Sequence, residues 1–307
     1  ENPEKKLKNV INVIGSDGKY SVLNSLKYFI EENKQTTSAY ISPSLKNIRE
    51  RFWMGSNYLS YKEIKKTISV IEKLNISLTI FEVLTLVYII NAAKNDNDYN
   101  LVEAGALFAK DSTNVFDFPL LQAVVNINKQ HLNFLKKKTI SEIIYQKVGF
   151  LSNFTTIYVG KQNLQNRKKI KNILKKNLIK KIYYNKWKLV KKNDSFFYKD
   201  EKNFIHLNTK NTNSIGLFHN IAMAIKIALD LKIDRKIIIK ALPKLKFEGR
   251  LQYLKKGKIK RKLHPQEKIL IDGCHSQTSG KNLSDYLKTI KENKYGIWSM
   301  MENKDPS

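Results

Sequence analysis

Val10-Ile11-Asn12-Val13-Ile14-Gly15-Ser16-Asp17-Gly18-Lys19-Tyr20-Ser21 is the stretch on which the fold turns. Its first five residues include four β-branched apolar side chains and read as a short buried strand. Two glycines and a lysine follow, then residues 20–32, where Leu23, Leu26, Phe29 and Ile30 can share one helical face. In a strand–glycine turn–helix unit, backbone N–H groups can approach a phosphate closely. The new helix turns its positive end to the anion, and a lysine adds a point charge. A hydroxyl at the helix start, here Ser21, can bind a nucleotide or Mg²⁺ directly. The spacing is shorter than the ordinary G-x-x-x-x-G-K-[ST] loop, so a plain glycine turn before a helix is the competing reading.

Outward from this unit, apolar runs alternate with amphipathic stretches, which predicts an α/β fold. Strands are expected at 38–41, leading into Ser42-Pro43, at 99–102, ending at Glu103, and at 123–127, ending shortly before His131. Further strands are expected at 155–159 and within 183–198. Helices are expected at 61–74, 81–93, 140–148, 218–231 and 236–242. Residues 243–249 read as a hinge between a first domain, 1–243, and the start of a second, 244–307. Beyond the hinge, a buried strand at 269–271 enters Asp272-Gly273, and a helix is expected at 281–290.

The 307 residues are 42% hydrophobic, enough for a real core and against general disorder. The sequence begins at Glu1 without a methionine and ends just after the apolar run 297–301, and is read as a fragment cut at both ends. No run approaches the roughly 18 apolar residues of a membrane span. The longest candidate, 81–93, is interrupted by Glu82, Thr85 and Asn91. Cys274 is the only cysteine, which rules out an internal disulfide and suits a reducing cytoplasm.

The formal charge of +29 raises the question of nucleic acid. The basic residues are nearly all Lys, while Ile and Asn are abundant and Gly and Pro scarce, a bias expected of AT-rich coding. The densest run, 161–192, has helix-like spacing that suits a solvated face. Its aromatics, Tyr183, Tyr184 and Trp187, alternate with residues that suit a strand core. The expectation is a diffuse basic surface that attracts anionic small molecules, with no nucleic-acid or membrane partner.

Several residues could carry chemistry. Ligands of parallel α/β sheets sit beyond the carboxyl ends of the strands. Glu103 stands at such an end with Asp111, Thr113 and Asn114 just beyond, and a carboxylate there suits Mg²⁺. His131 follows the next strand. Lys147 by itself reads as a solvated lysine. Arg250 at a hinge can clamp phosphates, and Asp272 at a strand end can bind ribose or adenine.

Taken together and in order, these segments resemble the folylpolyglutamate/dihydrofolate synthase family, a branch of the Mur-ligase-like amide ligases. The family's G-T-N-G-K-G-S loop resembles Gly15-Ser16-Asp17-Gly18-Lys19-Tyr20-Ser21. Its S-P-H-L and R-E-R resemble Ser42-Pro43-Ser44-Leu45 and Arg49-Glu50-Arg51, and its T-x-F-E resembles Thr79-Ile80-Phe81-Glu82. Its E-V-G-L-G-G-R-L-D-A-T-N resembles residues 103–114, its D-H resembles Gln130-His131, and its E-K-A-G resembles residues 146–149. Its N-A-x-x-A helix resembles residues 220–224. Its G-R-x-Q and D-G-A-H-N resemble residues 249–252 and 272–276. Tyr20 stands where the pattern has a glycine, Leu107 and Phe108 where it has G-G, and Ala109 where it has an arginine. Gln130 replaces an acid and Ser276 an asparagine.

The resemblance implies a P-loop Mur-ligase-like central domain followed by a truncated Rossmann-like C-terminal domain. It implies that Asp17, Gly18, Lys19, Tyr20 and Ser21 cradle the ATP phosphates and that Asn220, Arg250 and Asp272 hold the nucleotide between domains. Ser42, Glu103 and His131 would be Mg²⁺ ligands. Lys147 would be the lysine carbamylated in this family, a catalytic group with Lys19 and His131. Thr79, Ile80, Phe81, Glu82 and Lys110 fall where the pteroate is bound. The implied activity is MgATP-dependent ligation of L-glutamate to dihydropteroate or a folylpolyglutamate through an acyl phosphate, by a cytoplasmic monomer acting on small molecules. The competing readings are another Mur-type ligase acting on a cell-wall precursor, and a degenerate nucleotide-binding relative without ligase activity.

Overall fold

The computed structural model describes residues 2–209 and 214–299. The main sheet consists of β1 (Val10–Ile14), β2 (Thr37–Tyr40), β3 (Phe52–Met54), β4 (Tyr99–Glu103), β5 (Leu121–Val124), β6 (Thr156–Val159) and β7 (Lys181–Tyr184). Their order is β3-β2-β4-β1-β5-β6-β7. Every neighbouring pair is parallel except β2 and β3. The chain builds leftward from β1 through β4, then crosses to β5 and builds the other way. The order therefore reverses at β1, and the crevice beyond its carboxyl end is where such sheets bind ligands. Val13 of β1 lies level with Glu103 of β4 and Ala123 of β5, so the loops leaving these strands emerge side by side.

Helices cover both faces. They are α1 (Lys19–Glu32), α2 (Tyr61–Glu72), α3 (Ile80–Ala92), α4 (Ile140–Val148), α5 (Leu164–Leu174), α6 (Ile215–Asp230), α7 (Arg235–Ala241) and α8 (Gln277–Leu287). Leu23, Leu26, Phe29 and Ile30 of α1 are buried in one core with α6 and α7. A second core lies between the sheet and α2 and α3, and a third under α4 and α5. With both faces covered, all five residues of β1 are buried, which is why the strand reads as an unbroken apolar run. β8 (Lys188–Lys192), β9 (Ser195–Lys199) and β10 (Phe204–His206) form an antiparallel sheet beside α6. β11 (Gln252–Leu254) and β12 (Ile269–Ile271) form a separate antiparallel pair.

Four details differ from expectation. The strand expected at 123–127 ends at Val124, because β1 ends at Ile14 and leaves its neighbour nothing to pair with beyond a single bridge from Asn126 to Asp17. Of the basic run 161–192, only α5 is helical, and β7 and β8 take the rest. There Tyr183 stacks on Tyr158 with ring centroids 4.6 Å apart, and Trp187 packs on the same core. The strand at 269–271 is half-exposed rather than buried, since β11 is its single neighbour. Helix α8 begins at Gln277, four residues earlier than expected, because Ser276 and Ser279 form a capping box. The end of the apolar run 297–301 lies outside the described residues. Among the described residues, no helix is long and apolar enough to cross a membrane.

Candidate active site

The loop after β1 is built by its glycines. Gly15 has φ 144°, and a Cβ there would lie 2.4 Å from Val125 Cγ2, so only a glycine lets the loop settle on the chain leaving β5. Ser16 N–H then donates to the Asn126 carbonyl at 2.8 Å. Gly18, at φ 101°, caps α1, and a Cβ there would lie 2.4 Å from Asn220 Nδ2 of α6. Lys19 folds back over the loop. Its Nζ donates to the carbonyls of Gly15 and Ser16 at 3.4 and 3.3 Å and stands 3.9 Å from Glu103 Oε1.

Glu103 is a buried carboxylate at the end of β4. Burial pushes its pKa up, against the opposing pull of Lys19, the Ser42 N–H, Arg250 and Arg51. The Ser42 N–H donates to Oε2 at 3.1 Å. Arg51 Nε is itself buried with no hydrogen-bond partner among the described residues. His131 stands in the left-handed region at φ 59°, opening a 3-10 turn over Leu132–Phe134, with its ring 6.1 Å from that of Phe134. Among the described residues, no three His, Cys, Asp or Glu side chains gather into a metal site. A carboxylate, a hydroxyl and an imidazole nonetheless fit Mg²⁺, which keeps waters and substrate phosphates among its ligands and needs few from protein.

These groups share one open cleft of about 1940 Å³. Asp17, Gly18, Lys19, Tyr20, Ser21, Ser42, Phe81, Glu103, Lys110 and His131 line it, and so do Asn220, Arg250 and Asp272. Thr79, Ile80 and Glu82 do not. Thr79 and Glu82 instead cap α3 reciprocally, with Glu82 Oε2 accepting from the Thr79 N–H and hydroxyl at 2.7 Å each, while Ile80 is 81% exposed.

Lys147 is neither solvated nor on the cleft wall. It is 1% exposed, and its Nζ donates to the carbonyls of Gly15, at 2.8 Å, and Ala106. Burial, aided by the charge of Lys19, lowers its pKa to about 7. Much of it is therefore a neutral amine near neutrality, the form that can add carbon dioxide.

Asp272 accepts the Leu251 N–H at 2.8 Å, and burial raises its pKa against that bond and Arg250. Arg250 lies so close to Gly273 that a Cβ there would meet Nη1 at 2.4 Å. Sequence reasoning missed several groups. His219, held down to about 4 by burial and by Lys161 3.0 Å away, lines the cleft with no spacing to announce it. Asp111, already singled out by its place just beyond Glu103, accepts from Thr113 N–H and Oγ1 and fills the space beside Gly105. Asn128, Gln130 and Ser276 all bond to Asp17. The last two were visible only as departures from the family pattern.

No protein-family model matches the chain. Among curated proteins, it is 26% identical over 300 residues to the dihydrofolate synthase/folylpolyglutamate synthase of Buchnera aphidicola subsp. Schizaphis graminum, covering 95% of this chain and 68% of that one. It is 28% identical over 158 residues to the protein of the same name from Bacillus subtilis, covering 48% of this chain and 36% of the relative. Among solved structures, folylpolyglutamate synthase from Thermotoga maritima superposes with a TM-score of 0.79 at 24% identity, over 94% of this chain and 68% of that one. The Mycobacterium tuberculosis enzyme complexed with ADP and AMPPCP gives 0.80 at 17%, over 93% and 67%. The resemblance read from the motifs is borne out, and the chain shares the α/β fold of these solved synthases.

Proposed function

We infer that this chain, similar in sequence and fold to the dihydrofolate synthases/folylpolyglutamate synthases, is a MgATP-dependent ligase that joins L-glutamate to a pteroate or folate carboxylate. The observation that carries the reading is the meeting of a lysine-bearing glycine loop with a buried carboxylate, 3.9 Å apart, at the reversal point of a parallel sheet. A structural neighbour, a bifunctional folylpolyglutamate synthase/dihydrofolate synthase, was crystallised with Mn, AMPPNP and L-glutamate.

In this reading the loop amides and the N-terminus of α1 bind the phosphates, with Asp17, Gly18, Tyr20 and Ser21 shaping the cradle. Lys19 swings from the Gly15 and Ser16 carbonyls to the transferring phosphoryl group. Asn220, Arg250 and Asp272 hold the nucleotide, and Phe81 and Lys110 face the acceptor. The acceptor carboxylate attacks the γ-phosphorus and ADP leaves, giving an acyl phosphate. The amine of glutamate then attacks the acyl carbon, a tetrahedral intermediate collapses, and phosphate departs with the amide formed and a proton released. Mg²⁺, held by Glu103 with Ser42 and His131, would neutralise charge on the phosphoryl oxygens. Lys147, as its carbamate, would supply an anion beneath the loop.

The same reading keeps the domain boundary at 243/244 and has the protein acting as a cytoplasmic monomer. It takes the positive charge as diffuse rather than gathered for nucleic acid. ADP release is the test, measured with L-glutamate and, in turn, dihydropteroate, a folate and a UDP-sugar peptide precursor. Glutamate-dependent release with either pterin is expected. Release with the UDP-sugar alone would assign another Mur-type ligase, and MgATP binding without release a degenerate relative.

A further inference from the structure

The carboxylate of Asp17 accepts from three side-chain donors in the cleft, and nothing in a phosphate cradle calls for a negative charge. Its Oδ1 accepts from Gln130 Nε2 at 3.1 Å. Its Oδ2 accepts from Asn128 Nδ2 at 2.5 Å and from the Ser276 hydroxyl at 2.7 Å. These three donors come from two segments: Asn128 and Gln130 from the loop that carries His131, and Ser276 from the N-cap of α8, beyond the hinge. Asn128 Nδ2 also reaches Thr278 Oγ1 at 3.3 Å, while Asn128 Oδ1 is buried with no partner among the described residues. An amide held so as to orphan its own oxygen is being oriented by an acceptor on its other side, and Asp17 is that acceptor.

We propose that Asp17 is a positioning residue that couples three parts of the cleft: the phosphate loop, the His131 loop and the amino end of α8. Its carboxylate, accepting everywhere and donating nowhere, lets all three donors converge on one group. The pairing with Gln130 is also a reversal of the family pattern, which has an asparagine at position 17 and an acid at 130. Carboxylate and amide have traded places here, an exchange that keeps one donor and one acceptor at the two positions, and in this chain the two are bonded. The coupling stands on geometry; its part in ATP turnover rests on the ligase reading above.

The test is amide hydrogen exchange on the whole chain without nucleotide, followed in residues 128–135 and 276–287, with circular-dichroism melting to show that each variant is folded. Asp17→Asn places an NH₂ against a donor, and exchange should rise about ten-fold in both segments, the size of one lost charge-assisted bond. Gln130→Asp sets two carboxylates against each other and should do the same or more. The double variant Asp17→Asn/Gln130→Asp restores a donor–acceptor pair and should return to within about three-fold of wild type, a rescue that simple loop damage would not show. Gln130→Ala removes one donor and adds no charge, and should loosen 128–135 while leaving 276–287 unchanged. Should Asp17→Asn fail to fold, Gln130→Asp and its rescue carry the test alone. Asp17→Asn affecting neither segment or just one, or a double variant as fast as the product of its singles, would overturn the proposal. MgATP is then added to wild type. Absence of any new protection in 276–287 would count against the ligase reading and leave the nucleotide-free comparison intact.

Discussion

Strands β1 and β12 are alike in sequence and unlike in structure. Each is a short apolar run entering a turn that carries residues of the cleft, Gly15 to Lys19 after one and Asp272 to His275 after the other. β1 is buried along its length between two strands and two helical layers. β12 has one neighbour, Ile271 is 41% exposed, and the helix that follows has no buried residue. The phosphate loop is therefore held from beneath by its own core. The second region borrows its position from the first, through Ser276 on Asp17 and Asn128 on Thr278.

The strongest way to break this contrast is to cut into each region's apolar contacts. Phe29→Ala, in the α1 core at 0% exposure, should cost about 3–5 kcal/mol. Leu283→Ala on the half-buried face of α8 should cost under about 1 kcal/mol. Urea melts decide it, and equal losses would mean that the second region has a core of its own.

Next is the loop that the first core supports. Lys19→Ala should leave the fold intact and weaken MgATP binding by about 100-fold, the cost of a charge-assisted phosphate contact. Isothermal titration beside a circular-dichroism melt measures both, and unchanged affinity in a folded variant would remove Lys19 from the cradle.

Helix α4 carries a buried amine beneath the same loop. Lys147 titrates near 7 folded, against 10.5 in the unfolded chain. The unfolded chain thus binds more protons between those values, so its contribution to stability rises with pH from about 7 to 10.5 and is flat below. In CO₂-free buffer, wild type should gain about 3–4 kcal/mol over Lys147→Met between pH 7 and 10, read from paired denaturant melts. Parallel curves would show that the amine is not held in its neutral form.

The smallest effect belongs to the surface. Lys46 and Glu248 pair at 2.9 Å across the approach to the hinge, both exposed. Lys46→Ala should change stability by less than about 1 kcal/mol, and less still in high salt. A larger loss would mean that the two regions are joined by charge as well as by Asp17.

Most of the first region was legible from one dimension. β1, α1, β4 and α4 lie within a residue of expectation, because buried strands and amphipathic helices write their burial into local periodicity. Residues before the hinge were harder where the local pattern was ambiguous. Thr79 and Glu82 match a family segment and, in the structure, cap a helix. Lys147 looks like any surface lysine until the Gly15 and Ala106 carbonyls close over it.

What the amino-acid sequence determined by itself is the order of strands and helices, the glycine loop with its lysine, and the family those segments resemble, since each depends on neighbours within a few residues. What only the tertiary structure decided is which side chains meet. Asp17 and Ser276 are separated by 259 positions and joined at 2.7 Å. Glu103 faces Lys19 because two parallel strands end level with each other. The pKa of Lys147 is set by desolvation, which belongs to the packed molecule and to no segment of it.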